Sequence, residues 1–134
     1  MTRQLLLADK IMKVANDVTG WGFAIKSYEK GYVVGKTSVT KNEMVLDMRI
    51  EIRESEVTIY TMLLGSGFDE EKVKQELDLM GSTIEAIEIS DEVVKLECKV
   101  SFIYARKNTR DMVVWMMMPM VDRMLNLIKN RIAA

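Results

Sequence analysis

Two residue types that carry much of enzyme chemistry are scarce in this chain of 134 residues, which contains no histidine and one cysteine. Without histidine, the chain cannot form a Ser-His or Cys-His nucleophile pair or a histidine-ligated metal site. Apolar and polar residues alternate around Cys98, and Cys98 occupies one of the apolar positions. This pattern favours a buried, unreactive thiol. A single cysteine forms no internal disulfide, so we expect a reducing, cytoplasmic location.

A glycine-containing segment, Lys30–Ser38, superficially suggests a phosphate-binding loop because it includes Gly-Lys-Thr. That loop requires four residues before the Gly-Lys-Thr, whereas three residues separate Gly31 from Gly35. The intervening Tyr-Val-Val is typical of a strand, and a further β-like run follows. We therefore interpret the segment as a hairpin with a bulge or twist at Gly35, and we expect no cofactor.

Carboxylates are the remaining candidates for chemistry, because oxygen ligands alone can hold Mg²⁺ or Ca²⁺. Asp69-Glu70-Glu71 is better explained as a helix start, where acidic side chains cap the backbone and interact favourably with the helix dipole. No spacing selects a pair of acids for catalysis. We therefore predict no catalytic and no metal-binding residues and expect a protein that is not an enzyme, with carboxylate-and-metal chemistry as the open alternative.

Charge is unevenly distributed although the net charge is only −1. Residues 69–97 contain ten acidic and three basic side chains, whereas residues 99–131 contain seven basic and two acidic ones. Such segments either form separate solvated faces or attract each other within the fold or between protomers. The balanced total, despite the basic connector Arg106–Arg110, leads us to expect no nucleic-acid partner.

Apolar periodicity predicts a single α+β domain over residues 1–134, with an antiparallel sheet of about five strands. Its clearest strand is 44–53, where apolar and charged side chains alternate. Residues 83–89 are either a short strand or a helical continuation. The other predicted elements are a helix over 3–18, strands over 22–30, 32–40 and 57–64, a middle helix from Asp69 to Met80, a strand over 93–104, a polar connector over 106–109 and a long helix from Thr109 to Ile132.

The last helix contains an unusual run, Met112–Leu125, whose first half is apolar around its whole circumference. A helix that packs on a sheet needs only one apolar stripe. Such a stripe is formed by Val114, Met117, Val121, Met124 or Leu125, and Ile128. Four further apolar residues lie outside this stripe: Val113, Trp115, Met116 and Met120. Pro119 predicts a kink or a fresh helix start, because proline lacks the N–H group and clashes with the preceding turn.

This methionine-rich run has two interpretations: it fills a core, or it forms an adaptable apolar binding surface. We predict a non-enzymatic interaction module, a homodimer or a binder of a polypeptide partner, with no membrane partner. The alternative is a pocket for an apolar small molecule between the sheet and the last helix. The predicted contact residues are Val113, Trp115, Met116, Met117, Met120 and Trp21.

The order of these elements resembles the type III secretion chaperone-like fold, which includes the secretion chaperones and the bacterial YbjN-type regulators. The resemblance places Arg3–Val18 as the first helix, Trp21–Leu64 as the strand meander, Asp69–Met80 as the middle helix and Asp91–Ile132 as the final strand and helix. The methionine-rich Met112–Met120 departs from the polar helix start of that fold. The resemblance implies a homodimeric, non-enzymatic protein that binds an extended or amphipathic polypeptide.

Overall fold

The computed structural model describes residues 2–78 and 83–133. The chain is α+β, as predicted, and residues 83–89 contain a strand, so the sheet has six strands instead of about five. The elements in chain order are α1 (Arg3–Thr19), β1 (Ala24–Glu29), β2 (Tyr32–Lys41), β3 (Met44–Ile52), β4 (Glu56–Leu64), α2 (Glu70–Leu77), β5 (Ile84–Ile89), β6 (Val93–Ser101), α3 (Phe102–Lys107), α4 (Thr109–Met112), a π-helical turn (Val113–Met117) and α5 (Met118–Ala133).

The sheet is antiparallel throughout, in the order β1-β2-β3-β4-β6-β5. Its register aligns apolar residues across the strands on the face that the helices cover, as in the row Gly35, Ile50, Ile59, Cys98 and Ile84. The hairpin predicted around Gly31 is present, with Gly31 at φ +80°. The bulge expected at Gly35 lies on the facing strand, between Ile25 and Ser27.

Helix α1 begins where the side chain of Thr2 accepts a hydrogen bond from the Leu5 N–H, and it ends at Gly20. Its buried side packs closely on β2 at Gly35. A Cβ atom added at Gly35 would lie 2.5 Å from the Met12 Cε atom, closer than real contacts allow. The glycine therefore makes room for the end of the Met12 side chain, and one continuous core forms between the sheet and the helices.

The middle helix has the predicted start. The Asp69 side chain accepts hydrogen bonds from the N–H groups of Glu71 and Lys72, at 3.1 and 3.3 Å. Val73 and Leu77 are buried as predicted. Met80, which was expected to extend this buried stripe, lies outside the described residues.

The chain between β6 and the last helix corrects the prediction of a strand over 93–104 and a polar connector over 106–109. The strand ends at Ser101, whose side chain accepts a hydrogen bond from the Tyr104 N–H at 3.1 Å and so caps α3. Thr109 does not cap the next helix, because its hydroxyl donates to the Ala105 carbonyl at 2.7 Å. Helical geometry prevails here because its spacing buries Phe102, Ala105, Thr109 and Met112 on one side.

Candidate interaction surface

A π-helical turn, Val113–Met117, joins α4 to α5, and the Met118 N–H donates to the Val113 carbonyl five residues earlier. Upstream of the turn the buried stripe runs through Phe102, Ala105, Thr109 and Met112, and downstream it runs through Met117, Val121, Met124 and Ile128. In a regular α-helix these two stripes would be rotated by about 100° relative to each other. The wider turn takes up one extra residue and lets both stripes face the core.

This geometry places three of the six predicted contact residues in the core. Val113, Met117 and Met120 are 0% exposed and belong to the core, so none of them is available to a partner. Val114, assigned to the buried stripe by periodicity, is only partly buried. Because the run is apolar on all sides, its pattern does not define which side faces inward. The orientation is set by α3, which sequence periodicity did not reveal.

Trp115 is the residue that the π-helical turn directs away from the core, and it is 72% exposed. Met116 is partly buried and packs against the core. The same is true of Trp21, which follows the C-terminal end of α1. Of the six predicted contact residues, only Trp115 is therefore extensively exposed. We call Trp115, with the partly exposed Val114, Met116 and Met118 beside it, the Trp115 surface.

Pro119 is the second residue after the π-helical turn, which ends at Met117. The irregularity predicted from this proline is present, because α5 begins at Met118 and Pro119 lies in its first turn. Proline has no N–H group to donate to the preceding turn, and here it lies beside a turn whose hydrogen bonding already departs from that of a regular α-helix. The break at the turn is therefore compatible with a long, otherwise regular final helix.

The space between the sheet and the last helix is occupied by side chains. Met112, Met117, Met120 and Met124 are all buried there in the same apolar cluster as the inner face of the sheet. Methionine suits this position because its unbranched side chain fills irregular gaps. Four of the methionines between 112 and 124 are thus core residues, which favours the core interpretation of the methionine-rich run over a pocket at this place.

The opposite face of the sheet carries a charged cluster that the sequence did not reveal. Alternation assigned Glu51 to a solvated face, yet it is buried, and it accepts hydrogen bonds from the Tyr32 hydroxyl and from Arg53. Burial raises the pKa of Glu51, but the Tyr32 hydrogen bond and the charges of Arg49 and Arg53 outweigh it and hold that pKa below its usual value. The carboxylate is therefore a satisfied structural anion.

Cys98 offers no chemistry at this surface. It is buried in β6 on the helix-covered face of the sheet. Burial, together with the negative charge of Glu97, raises the pKa of the Cys98 thiol. Within residues 2–78 and 83–133, no three histidine, cysteine or acidic side chains converge as metal ligands would.

No protein-family model, curated protein or solved structure matches this chain. Across the described part of the chain, no helix is long and apolar enough to cross a membrane. Trp115 is the most exposed of the large hydrophobic side chains among the described residues, and tryptophan is one of the residues enriched at the energetic centres of protein interfaces.

Proposed function

We propose that this protein is a non-enzymatic interaction module and that its Trp115 surface associates with a second copy of the chain. The observation that carries the proposal is the exposure of Trp115 in a segment whose other large side chains are buried or half-buried. Tryptophan dominates the energetics of many protein interfaces, because it buries a large rigid surface at small entropic cost.

The magnitude supports an interface contact. The exposed part of Trp115, 72% of the residue, amounts to roughly 180 Å², and burying it corresponds to about 4 kcal/mol. In a contact with two-fold symmetry, each copy contributes this residue once. The acidic segment 69–97 and the basic segment 99–131 meet within the chain at the Glu76–Arg123 ion pair, 3.3 Å long, and their remaining charges form a pattern that can orient two protomers.

The resemblance in element order to the type III secretion chaperone-like fold supports the same proposal, since that resemblance implies a homodimer that binds polypeptides. A pocket for an apolar small molecule beneath the last helix was the alternative. The methionines that fill that space, among them Met117 and Met120, favour the interface instead.

The proposal is tested by changing Trp115 to lysine and measuring the mass in solution by analytical ultracentrifugation over a wide range of concentration. We expect the wild type to dimerise and Trp115→Lys to raise the dimer dissociation constant by about thirtyfold or more, as loss of an interface hot spot does. Tyr28→Lys is the matched control. Tyr28 is an exposed aromatic residue on the edge strand β1 and does not belong to the Trp115 surface, so its replacement should leave the dissociation constant unchanged.

Fluorescence gives an independent measurement. The chain has two tryptophans, so Trp21→Phe leaves Trp115 as the single emitting residue. Association should shift its emission to shorter wavelength and protect it from quenching by iodide as the concentration rises. A wild-type protein that stays monomeric, with Trp115 equally accessible to iodide at every concentration, would contradict the proposed dimer.

A further inference from the structure

A groove between α1 and α3 combines an apolar floor with a basic rim. It has a volume of about 210 Å³ and is lined by Arg3, Leu6, Leu7, Lys10, Phe102 and Arg106. Leu6 lies on the outward side of α1 and is 56% exposed, whereas Leu7 and Phe102 are buried at the base. A cavity of about 150 Å³ already accommodates benzene, so this groove is large enough for one leucine or phenylalanine side chain.

The groove is held in place by contacts between the two helices. The Lys10 Nζ atom donates a hydrogen bond to the Arg106 carbonyl at 3.1 Å, which links α1 to α3. The Arg3 guanidinium lies 4.6 Å from the centre of the Phe102 ring, so its charge is positioned over the floor. Residues more than ninety positions apart in sequence thus form a single preorganised site.

The rim carries positive charge that the described part of the chain does not neutralise. No acidic side chain lines the groove. Among the ion pairs that the described residues form, none includes Arg3, Lys10 or Arg106. Charges of one sign around an apolar floor favour a ligand that brings the opposite charge together with an apolar group.

We propose that this groove binds an acidic polypeptide segment, which inserts one large apolar side chain against Leu6 and Phe102 while its carboxylates meet Arg3 and Arg106. This inference goes beyond the Trp115 contact and does not depend on it, because the groove is formed by different residues. The binding mode is that of an anchor side chain in a pocket surrounded by a polar rim.

A peptide fits these observations better than an anionic membrane surface does. Attachment to a membrane requires apolar side chains that protrude from the protein into the lipid. Here the apolar floor formed by Leu7 and Phe102 is recessed between two helices, so an inserting group has to come from the partner. The concave shape therefore favours a polypeptide with a protruding side chain.

The experiment uses the full chain and a fluorescein-labelled synthetic peptide in which single leucines separate pairs of glutamates. Binding is followed by fluorescence anisotropy, and amide shifts in ¹H–¹⁵N spectra locate the site. We expect shifts at Leu6 and Phe102, binding that weakens with salt, and at least roughly fivefold weaker binding in Arg106→Glu, since the reversal replaces an attraction by a repulsion. Leu6→Glu should weaken binding as well.

Lys107→Glu is the matched control, because Lys107 is an exposed base of the same helix that does not line the groove. It should leave the affinity within about twofold of the wild type, since an exposed charge outside the contact contributes little. Trp115→Lys should also retain peptide binding, so either proposal can fail without the other. Absence of peptide binding, equal losses in Arg106→Glu and Lys107→Glu, or binding to phosphatidylserine-containing vesicles but not to the peptide would overturn the inference.

Discussion

The π-helical turn makes two methionines that look alike in sequence energetically different. Helical periodicity predicts that both Met116 and Met120 lie outside the buried stripe. In the structure Met120 is completely buried, whereas Met116 is only partly buried. We therefore predict that Met120→Ala and Met116→Ala have clearly unequal effects on the free energy of unfolding. The pair is matched, because the same side chain is truncated at two positions four residues apart, one in the π-helical turn and one in α5.

The magnitude follows from burial. Truncating a fully buried methionine removes its transfer free energy and leaves a cavity, which together cost about 2–5 kcal/mol. We expect about 3 kcal/mol for Met120→Ala and about 1 kcal/mol or less for Met116→Ala, whose side chain is already in partial contact with water. For a domain of this length, the larger loss lowers the melting temperature by about 10 °C.

The measurement is urea unfolding followed by far-ultraviolet circular dichroism, with the free energy of unfolding extrapolated to water. All variants should be compared at a protein concentration low enough to keep the chain monomeric, because Met116 belongs to the Trp115 surface and its truncation would otherwise change the apparent stability through the dimer as well. The m-value should stay the same if only packing has changed. Equal losses for the two variants, or a loss below about 1 kcal/mol for Met120→Ala, would refute the burial that the π-helical turn imposes.

Two further predictions concern the sheet. The carboxyl pKa of Glu51 is lowered on folding, so its ionised form stabilises the protein above the ordinary value of 4.5 and this contribution disappears as the pH falls through the lowered pKa. Glu51→Gln should therefore lower the free energy of unfolding by about 2 kcal/mol near neutral pH and by progressively less below pH 4.5. Urea unfolding at several pH values measures this difference, and a difference that does not change with pH would contradict the prediction. The buried Cys98, whose thiol pKa is raised by burial and by Glu97, should react with iodoacetamide at least about a thousandfold more slowly in the native protein than in urea. Labelling is followed over time by mass spectrometry, and rapid labelling of the native protein would contradict the burial of Cys98.

Strands with strict alternation were predictable because one wet and one covered face leave a period of two in the sequence. β3 illustrates this, since every second side chain is buried on the helix-covered face: Met44, Leu46, Met48, Ile50 and Ile52. Glu51 was the exception in the same strand. Its burial depends on Tyr32 and Arg53, and the pairing of β2 with β3 that brings Tyr32 near it is a tertiary feature.

The end of β6 was harder to predict because alternating apolar residues continue through Phe102 and Tyr104. The same residues also fit a helical spacing, and the cap at Ser101 decides between the two conformations. Once α3 was missed, the side of the methionine-rich run that faces the core could not be derived. The groove was beyond sequence reasoning for a related reason, since Arg3 and Arg106 meet only after α1 and α3 pack together.

The π-helical turn also gives the final helix one place where its length can change. Removing a single residue from Val113–Met117 would replace the hydrogen bond that spans five residues by one that spans four, as in a regular α-helix, while Phe102 and Val121 kept their inward orientation. A deletion elsewhere in the helix would rotate everything beyond it by about 100° and carry charged residues such as Asp122 toward the sheet. Trp115 is the residue that this extra length places outside the core, so the exposed aromatic ring can be gained or lost without repacking the domain.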